Sequence, residues 1–96
     1  MTINFNELTP GETERLAILS EECGEVIQAI GKILRHGYES THPRGGPTNR
    51  KSLENEIAHV KFIITQMQSM CDVNIYNIEN EVIRKKEKIK KYLHHQ

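Results

Sequence analysis

Apolar side chains recur every three or four residues through the second half of the chain, and this spacing constrains the fold more than any other feature. They are Leu53, Ile57, Val60, Ile63, Ile64, Met67 and Cys71. Such a stripe predicts a helix with one buried face. Glu56 falls inside the stripe, where a carboxylate without a partner costs several kcal/mol. We therefore expect Glu56 to have a salt bridge, a raised pKa or a bound cation.

A longer amphipathic helix precedes this one, and its start is marked by three neighbouring residues. Thr9 is a suitable cap, Pro10 suits the first helical position, and Glu12 can close a capping box. Gly37 marks the end as a left-handed cap. The apolar residues between these limits are Leu16, Leu19, Cys23, Val26, Ile27, Ile30, Ile33 and Leu34. The sequence therefore predicts a helix from about Pro10 to just before Gly37.

The rest of the chain supplies a loop and a third helix. Residues 37–50 hold many turn-forming residues and no periodicity, which predicts an unusually long loop. Asn49 or Ser52 is expected to cap the helix that carries Glu56, which runs to about Cys71. After a break at 72–74, the stripe Ile75, Ile78, Val82, Ile89 and Leu93 predicts a third helix. The predicted fold class is all-α: an antiparallel helical bundle of three main helices, with a long loop between the first two, forming one domain over 1–96.

The chain is short and its charges balance. Ninety-six residues bury only about two-thirds of the extended-chain surface, so we expect oligomerisation to complete the bundle. Thirteen basic and thirteen acidic residues cancel, which argues against a protein that coats nucleic acid or an anionic membrane. The sequence shows no membrane span and no targeting segment, so we expect a cytoplasmic location. Cys23 and Cys71 fall on apolar helix faces and are expected to be reduced core thiols.

Carboxylates on the first helix are candidate partners for Glu56. Glu22 and Glu25 are three residues apart and point towards one side of the helix, whereas Glu21 is rotated away. His59 lies one helical step beyond Glu56. Two helices that each present a pair of ligands at this spacing can surround a divalent cation such as Mg²⁺ or Mn²⁺. The alternative is a set of solvated glutamates, which are common on helix surfaces.

Three segments of the chain together resemble a known family. Residues 19–37, 49–57 and 88–93 look like the small MazG-like all-α nucleoside triphosphate pyrophosphohydrolases, especially the short forms found in phages. The family's signature is Glu-Glu-x-x-Glu followed, after a loop, by Glu-x-x-Asp. The resemblance implies Mg²⁺-dependent hydrolysis of a nucleoside triphosphate to the monophosphate and pyrophosphate. It also implies a helical bundle completed as a homodimer or homotetramer.

The resemblance assigns roles to four residues. Glu22 and Glu25 match the first ligand pair of the family, and Glu56 matches the glutamate of the second pair. These three are the predicted catalytic and metal-binding residues. His59 stands where the family has aspartate, so it is the fourth predicted ligand. The resemblance implies Mg²⁺ as the cofactor. Mn²⁺ is a possible replacement, because the imidazole of His59 binds Mn²⁺ better than Mg²⁺.

Three basic residues are predicted to contact the substrate phosphates. Lys32 is seven residues past Glu25 and shares its side of the first helix, and Arg35 follows one step later. Lys85 lies in the apolar seam of the third helix, where a lysine either snorkels to solvent or meets an anion. Solvated surface positions are the alternative for Lys32 and Arg35.

His59 leaves three outcomes open for the predicted enzyme. The chain can be active with an altered metal preference, can use another carboxylate such as Glu79, or can bind nucleotides or pair helices without catalysis. A hydrogen-bonded His59 that binds no metal is a further alternative. Glu-x-x-His is also the ligand unit of di-iron carboxylate bundles, which need two such units. A symmetric dimer would supply the second unit.

Overall fold

The computed structural model of the chain describes residues 5–95. It contains three α-helices, which are α1 (Pro10–His36), α2 (Asn49–Ser69) and α3 (Ile75–Ile89). No strand occurs in this described part of the chain, where β-type pairing is limited to an isolated antiparallel bridge between Thr41 and Thr48. The all-α class is confirmed.

Both predicted ends of α1 are confirmed. Thr9 caps the helix through its hydroxyl oxygen, which accepts a hydrogen bond from the Glu12 backbone N–H at 3.1 Å. The Glu12 carboxylate in turn accepts from the Thr9 backbone N–H at 2.8 Å, so the capping box is closed. At the other end, Gly37 follows the helix with φ 87° and ψ 168°, so it ends α1 with a positive φ but not in the predicted left-handed helical conformation. Glycine adopts this backbone without the steric cost of a side chain.

The predicted ends of α2 were wrong by a few residues. Thr48 caps this helix, rather than Asn49 or Ser52, because its hydroxyl oxygen accepts a hydrogen bond from the Lys51 backbone N–H at 3.1 Å. The helix ends at Ser69, two residues before Cys71. Cys71 has a φ of 62°, in the left-handed region, so the backbone has already left the helix there.

Two tethers, one at each end, show that α1 and α2 are antiparallel. The Arg15 guanidinium, near the start of α1, donates two hydrogen bonds to the Asp72 carboxylate just beyond α2. This charged pair lowers the pKa of Asp72 below its ordinary value. At the opposite end, the Asn49 side-chain amide donates to the Gly37 carbonyl at 3.1 Å. The two helices therefore lie side by side in opposite directions.

The three-helix bundle is not confirmed within one chain. Extensive packing joins only α1 and α2 in the described residues, and the buried positions there are Ala29, Ile63 and Met67. Helix α3 starts at a well-formed Asn74 cap but buries no residue. The radius of gyration is 17.2 Å, compared with about 13 Å for a compact domain of this size. The single chain is thus an antiparallel helical pair with an extended third helix.

The two cysteines were wrongly predicted as core residues. Cys23 and Cys71 are both free thiols, and both are exposed in the single chain. The apolar residues of α1 extend around more of the helix than its contact with α2 covers, so Cys23 is left outside. Cys71 lies beyond the end of α2, where its left-handed backbone departs from the helical stripe. Within residues 5–95, no helix is both long and apolar enough to cross a membrane.

Candidate metal centre

Three carboxylates and one imidazole meet where α1 packs against α2. Glu22 and Glu25 come from α1, and Glu56 and His59 come from α2. Each side chain offers one ligand atom, and the four atoms all lie within 4.8 Å of one another. The structure therefore brings together all four residues that the sequence predicts as metal ligands. We call this set the acidic cluster.

Helix geometry places the acidic cluster at this position. Residues three apart on an α-helix share a side, so each helix presents two ligands as a pair. The antiparallel packing then sets the two pairs opposite each other, because the tethers at both ends fix how far α1 and α2 can slide. Glu21 is exposed and outside the cluster, as its rotation around α1 predicts.

Two carboxylate oxygens in the acidic cluster have no hydrogen-bond donor. They are Oε2 of Glu22 and Oε2 of Glu56, each with less than 1 Å² of accessible surface. The Nδ1 atom of His59 lies 3.4 Å from both oxygens. Buried polar atoms in folded proteins nearly always have a partner, so a cation or a hydrogen-bond donor is expected beside these oxygens. A bound metal ion, a water molecule or an N–H group of His59 could each take this place.

Crowding of negative charge raises the pKa of Glu25. The main cause is a hydrogen bond with the Glu56 carboxylate, which requires one of the two groups to be protonated. Repulsion from Glu56 and then from Glu22 acts in the same direction. The two helices therefore bring these carboxylates closer together than their charges favour at neutral pH.

The acidic cluster fits a divalent cation of the Mg²⁺ or Mn²⁺ class. Opposite ligands of Mg²⁺ lie about 4.2 Å apart, so a small side-chain movement closes the four donors around such an ion. Oxygen ligands suit both metals, and the single imidazole nitrogen favours Mn²⁺. A cation there would lie against the two oxygens that lack donors and would offset the repulsion at Glu25.

Two cavities continue from the acidic cluster towards the loop between α1 and α2. The smaller one, about 180 Å³, is lined by Glu25 and Glu56 together with Gln28, Ala29, Lys32, Asn49 and Ser52. The larger one, about 470 Å³, lies under the loop and is also lined by Lys32, Asn49 and Ser52. Because the cavities share these three residues, they are adjacent, and the smaller one lies between the acidic cluster and the larger one.

The structure brings only some of the predicted substrate-binding residues near the acidic cluster. Lys32 lines both cavities, one of which contains Glu25 and Glu56, whereas Arg35 lines only the larger cavity. Lys85 and the candidate substitute ligand Glu79 are exposed on α3, which does not pack beside the cluster in the single chain. Their roles stay predictions, and an assembled oligomer would have to bring these residues beside the cluster.

Several lining residues were missed by the sequence analysis. Gln28 and Ser52 could have been found, because Gln28 lies three residues after Glu25 and Ser52 lies four before Glu56, on the same helix sides. His36 and His42 line the larger cavity, but no sequence pattern indicates this. His42 lies in the loop, where side-chain directions depend on turn geometry and not on a periodic helix.

Comparisons of the chain with models of protein families, with curated proteins and with solved structures give no match.

The raised pKa of Glu25 predicts how the pH affects stability when a chelator removes divalent cations. Folding favours the protonated form of Glu25, so this stabilisation is present below the ordinary pKa of 4.5 and is lost as the pH rises through the raised value. We expect the midpoint temperature of thermal unfolding to decrease as the pH is raised from 4.5 to neutrality. Glu25→Gln should reduce this fall and raise the midpoint at neutral pH.

Glu21→Gln is the matched control, because Glu21 lies on the same helix outside the acidic cluster. It should keep most of the fall seen in the wild type. Titration of Asp72 does not contribute to this decrease of the midpoint, since its lowered pKa affects stability only in more acidic solution. A midpoint that rises towards neutrality, or an equal response of the two variants, would contradict the proposed crowding.

Proposed function

We propose that this chain is a metal-dependent nucleotide pyrophosphohydrolase, which hydrolyses a nucleoside triphosphate to a monophosphate and pyrophosphate. The supporting observation is the convergence of Glu22, Glu25, Glu56 and His59, whose donor atoms lie within 4.8 Å of one another. The sequence resemblance points to the same reaction and to three of these four residues. The adjoining basic residues give the phosphates of a nucleotide a place beside the cluster.

The acidic cluster would hold Mg²⁺ or Mn²⁺. Such a cation would neutralise phosphate charge and make a nearby water more acidic. A carboxylate oxygen of the cluster would orient the attacking water molecule and accept a proton from it. Attack of that water on the α-phosphorus breaks the bond to the bridging oxygen, and pyrophosphate leaves with the bonding electrons.

Lys32 is placed to stabilise the charge on the phosphates. It lines the smaller cavity together with Glu25 and Glu56, and it is the one basic residue among the described residues of that lining. An ammonium group at this position attracts the phosphate chain and offsets the negative charge that develops on the leaving group. Gln28 and Ser52 add neutral hydrogen-bond donors to the same cavity.

A second function is favoured by the position of His59. With Nδ1 3.4 Å from Oε2 of both Glu22 and Glu56, a protonated imidazole can pair with the two carboxylates and replace the cation. The chain would then be a catalytically silent homologue that binds nucleotides or pairs helices. This alternative predicts weak metal binding and no turnover.

We also propose that the working form is a homodimer or homotetramer. Large apolar side chains are exposed on all three helices, including Ile27 at 69%, Phe62 at 63% and Ile83 at 64%. A stable folded chain rarely leaves so much apolar surface in water. A second copy would cover α3 and supply the core that the single chain lacks.

Activity measurements on two neighbouring glutamates test the proposed reaction. Pyrophosphate release from a panel of nucleoside triphosphates is measured with Mg²⁺ and with Mn²⁺. Glu56→Gln should lower kcat/KM at least about 100-fold, because it removes a ligand and a negative charge from the cluster. Glu54→Gln is the matched control and should leave the rate unchanged, since Glu54 is exposed and outside the cluster.

The same assay separates the two candidate functions. Turnover that depends on Glu56 supports the enzyme, whereas no turnover with any nucleotide and metal would favour the silent homologue. His59→Asp restores the carboxylate of the family signature and removes a ring that can pair with Glu22. It should raise activity with Mg²⁺ relative to Mn²⁺. An unchanged ratio would place His59 outside the metal site.

Sedimentation measurements test the proposed oligomer. The wild type should have a mass that is two or four times the 11.1 kDa of one chain. Val82→Glu places a charge in the apolar stripe of α3 and should dissociate the oligomer. Arg84→Glu, on the opposite side of the helix, is the control and should keep the wild-type mass. A wild type that is monomeric at micromolar concentration would contradict the proposal.

A further inference from the structure

The larger cavity, under the loop, is lined by basic side chains and, among its described residues, by no acidic one. Lys32, Arg35, His36 and His42 contribute to its wall. Ser40 and Thr41 from the loop add hydroxyl groups. The acidic cluster, a short distance along α1, has the opposite charge. The two neighbouring sites therefore attract different ligands, a cation in the cluster and an anion under the loop.

The loop that covers this cavity is fixed at its base. The backbone N–H groups of Asn49 and Arg50 donate to the carbonyls of Ser40 and Tyr38, at 2.9 and 2.8 Å. Arg50 also pairs with the exposed Glu39 carboxylate at 2.7 Å and stacks on the Tyr38 ring. These contacts hold the wall of the cavity in place before any ligand arrives.

Side chains, and not the start of α2, must bind the anion. Helix N-termini commonly bind phosphate through free backbone N–H groups. Here the first four N–H groups of α2, from Asn49 to Ser52, already donate to Tyr38, Ser40 and Thr48. The donors that remain for a ligand are the ammonium, guanidinium, imidazole and hydroxyl groups of the lining.

His42 is set up to act as a donor. Its Nδ1 atom accepts a hydrogen bond from the Arg44 backbone N–H at 3.0 Å. A neutral imidazole that accepts at Nδ1 carries its proton on Nε2, so the other ring nitrogen is a donor. The turn from His42 to Gly45, closed by a 2.8 Å backbone hydrogen bond, fixes this residue at the cavity.

We propose that the cavity under the loop is a binding site for inorganic pyrophosphate, which receives the leaving group of the reaction. This role rests on the proposed function. Hydrolysis breaks the bond between the α-phosphorus and the bridging oxygen, and that oxygen departs with both electrons as part of pyrophosphate. Lys32 lies about 10 Å along α1 from Glu25, and Arg35 about 15 Å, so the two follow the cluster in order. The two cavities both contact Lys32, so the sites are adjacent.

The lining favours pyrophosphate over the nucleoside part of the substrate. A purine or pyrimidine base usually packs against an aromatic ring or apolar side chains. No Phe, Tyr or Trp is among the described lining residues, whose apolar side chains are the small rings of Pro43 and Pro47, and the nearby Tyr38 ring is covered by Arg50 at 4.2 Å. Pyrophosphate carries several negative charges and many acceptor oxygens, which match the basic groups and hydroxyls of this wall.

Calorimetric titration with inorganic pyrophosphate tests the site. A chelator is present throughout, so that metal in the acidic cluster does not contribute. The wild type should bind one pyrophosphate per chain. Arg35→Gln and His42→Ala should each weaken the binding at least about tenfold, because the first removes a positive charge from the cavity and the second removes a hydrogen-bond donor. Lys51→Gln is the matched control, since Lys51 is exposed and lines neither cavity.

The outcomes separate this inference from the proposed function. Absence of pyrophosphate binding, or equal weakening by Arg35→Gln and Lys51→Gln, overturns the site even if nucleotides are hydrolysed. Displacement of pyrophosphate by a nucleoside without phosphates also overturns it. Binding with the expected variant pattern but no hydrolysis of any nucleoside triphosphate supports the anion site and overturns the proposed function. Circular dichroism of each variant confirms that the helices are intact.

Discussion

Repulsion among the carboxylates between α1 and α2 is the constraint on which the rest of the structure depends. The same helical contact carries the buried residues Ala29, Ile63 and Met67, so the two helices cannot separate to relieve it without losing their core. Protonation of Glu25 relieves it in acid. At neutral pH a cation would relieve it, and this is the physical basis of the proposed metal site.

The loop between the helices decides what lies next to the acidic cluster. A shorter connection would join α1 to α2 without a covered space, whereas the hydrogen bonds between residues 37–41 and 48–50 close a wide turn over the cavity. The chain therefore places a basic cavity directly beside an acidic cluster. Opposite charges at neighbouring positions suit a substrate that carries both a bound metal and a chain of phosphates.

The sequence predicted those parts of the structure that depend on local patterns. The Thr9 cap follows from residues three apart, and the acidic cluster follows from two helical pairs on facing sides. The Thr48 cap was missed because the position of Thr48 depends on its pairing with Thr41 at the other end of the loop. A local sequence pattern does not indicate such a contact. The basic cavity was missed for the same reason. The exposure of Cys71 depends on a single left-handed residue, which no periodicity indicates.

Pulsed electron paramagnetic resonance of the protein with Mn²⁺ tests the central claim most directly, because it detects nitrogen bonded to the metal. We expect one Mn²⁺ per chain with a nitrogen coupling from His59. The coupling should disappear in His59→Asp while the metal stays bound, and Glu22→Gln should weaken the binding itself. Absence of stoichiometric Mn²⁺, or a nitrogen coupling that persists in His59→Asp, would contradict a metal centre built from these four residues.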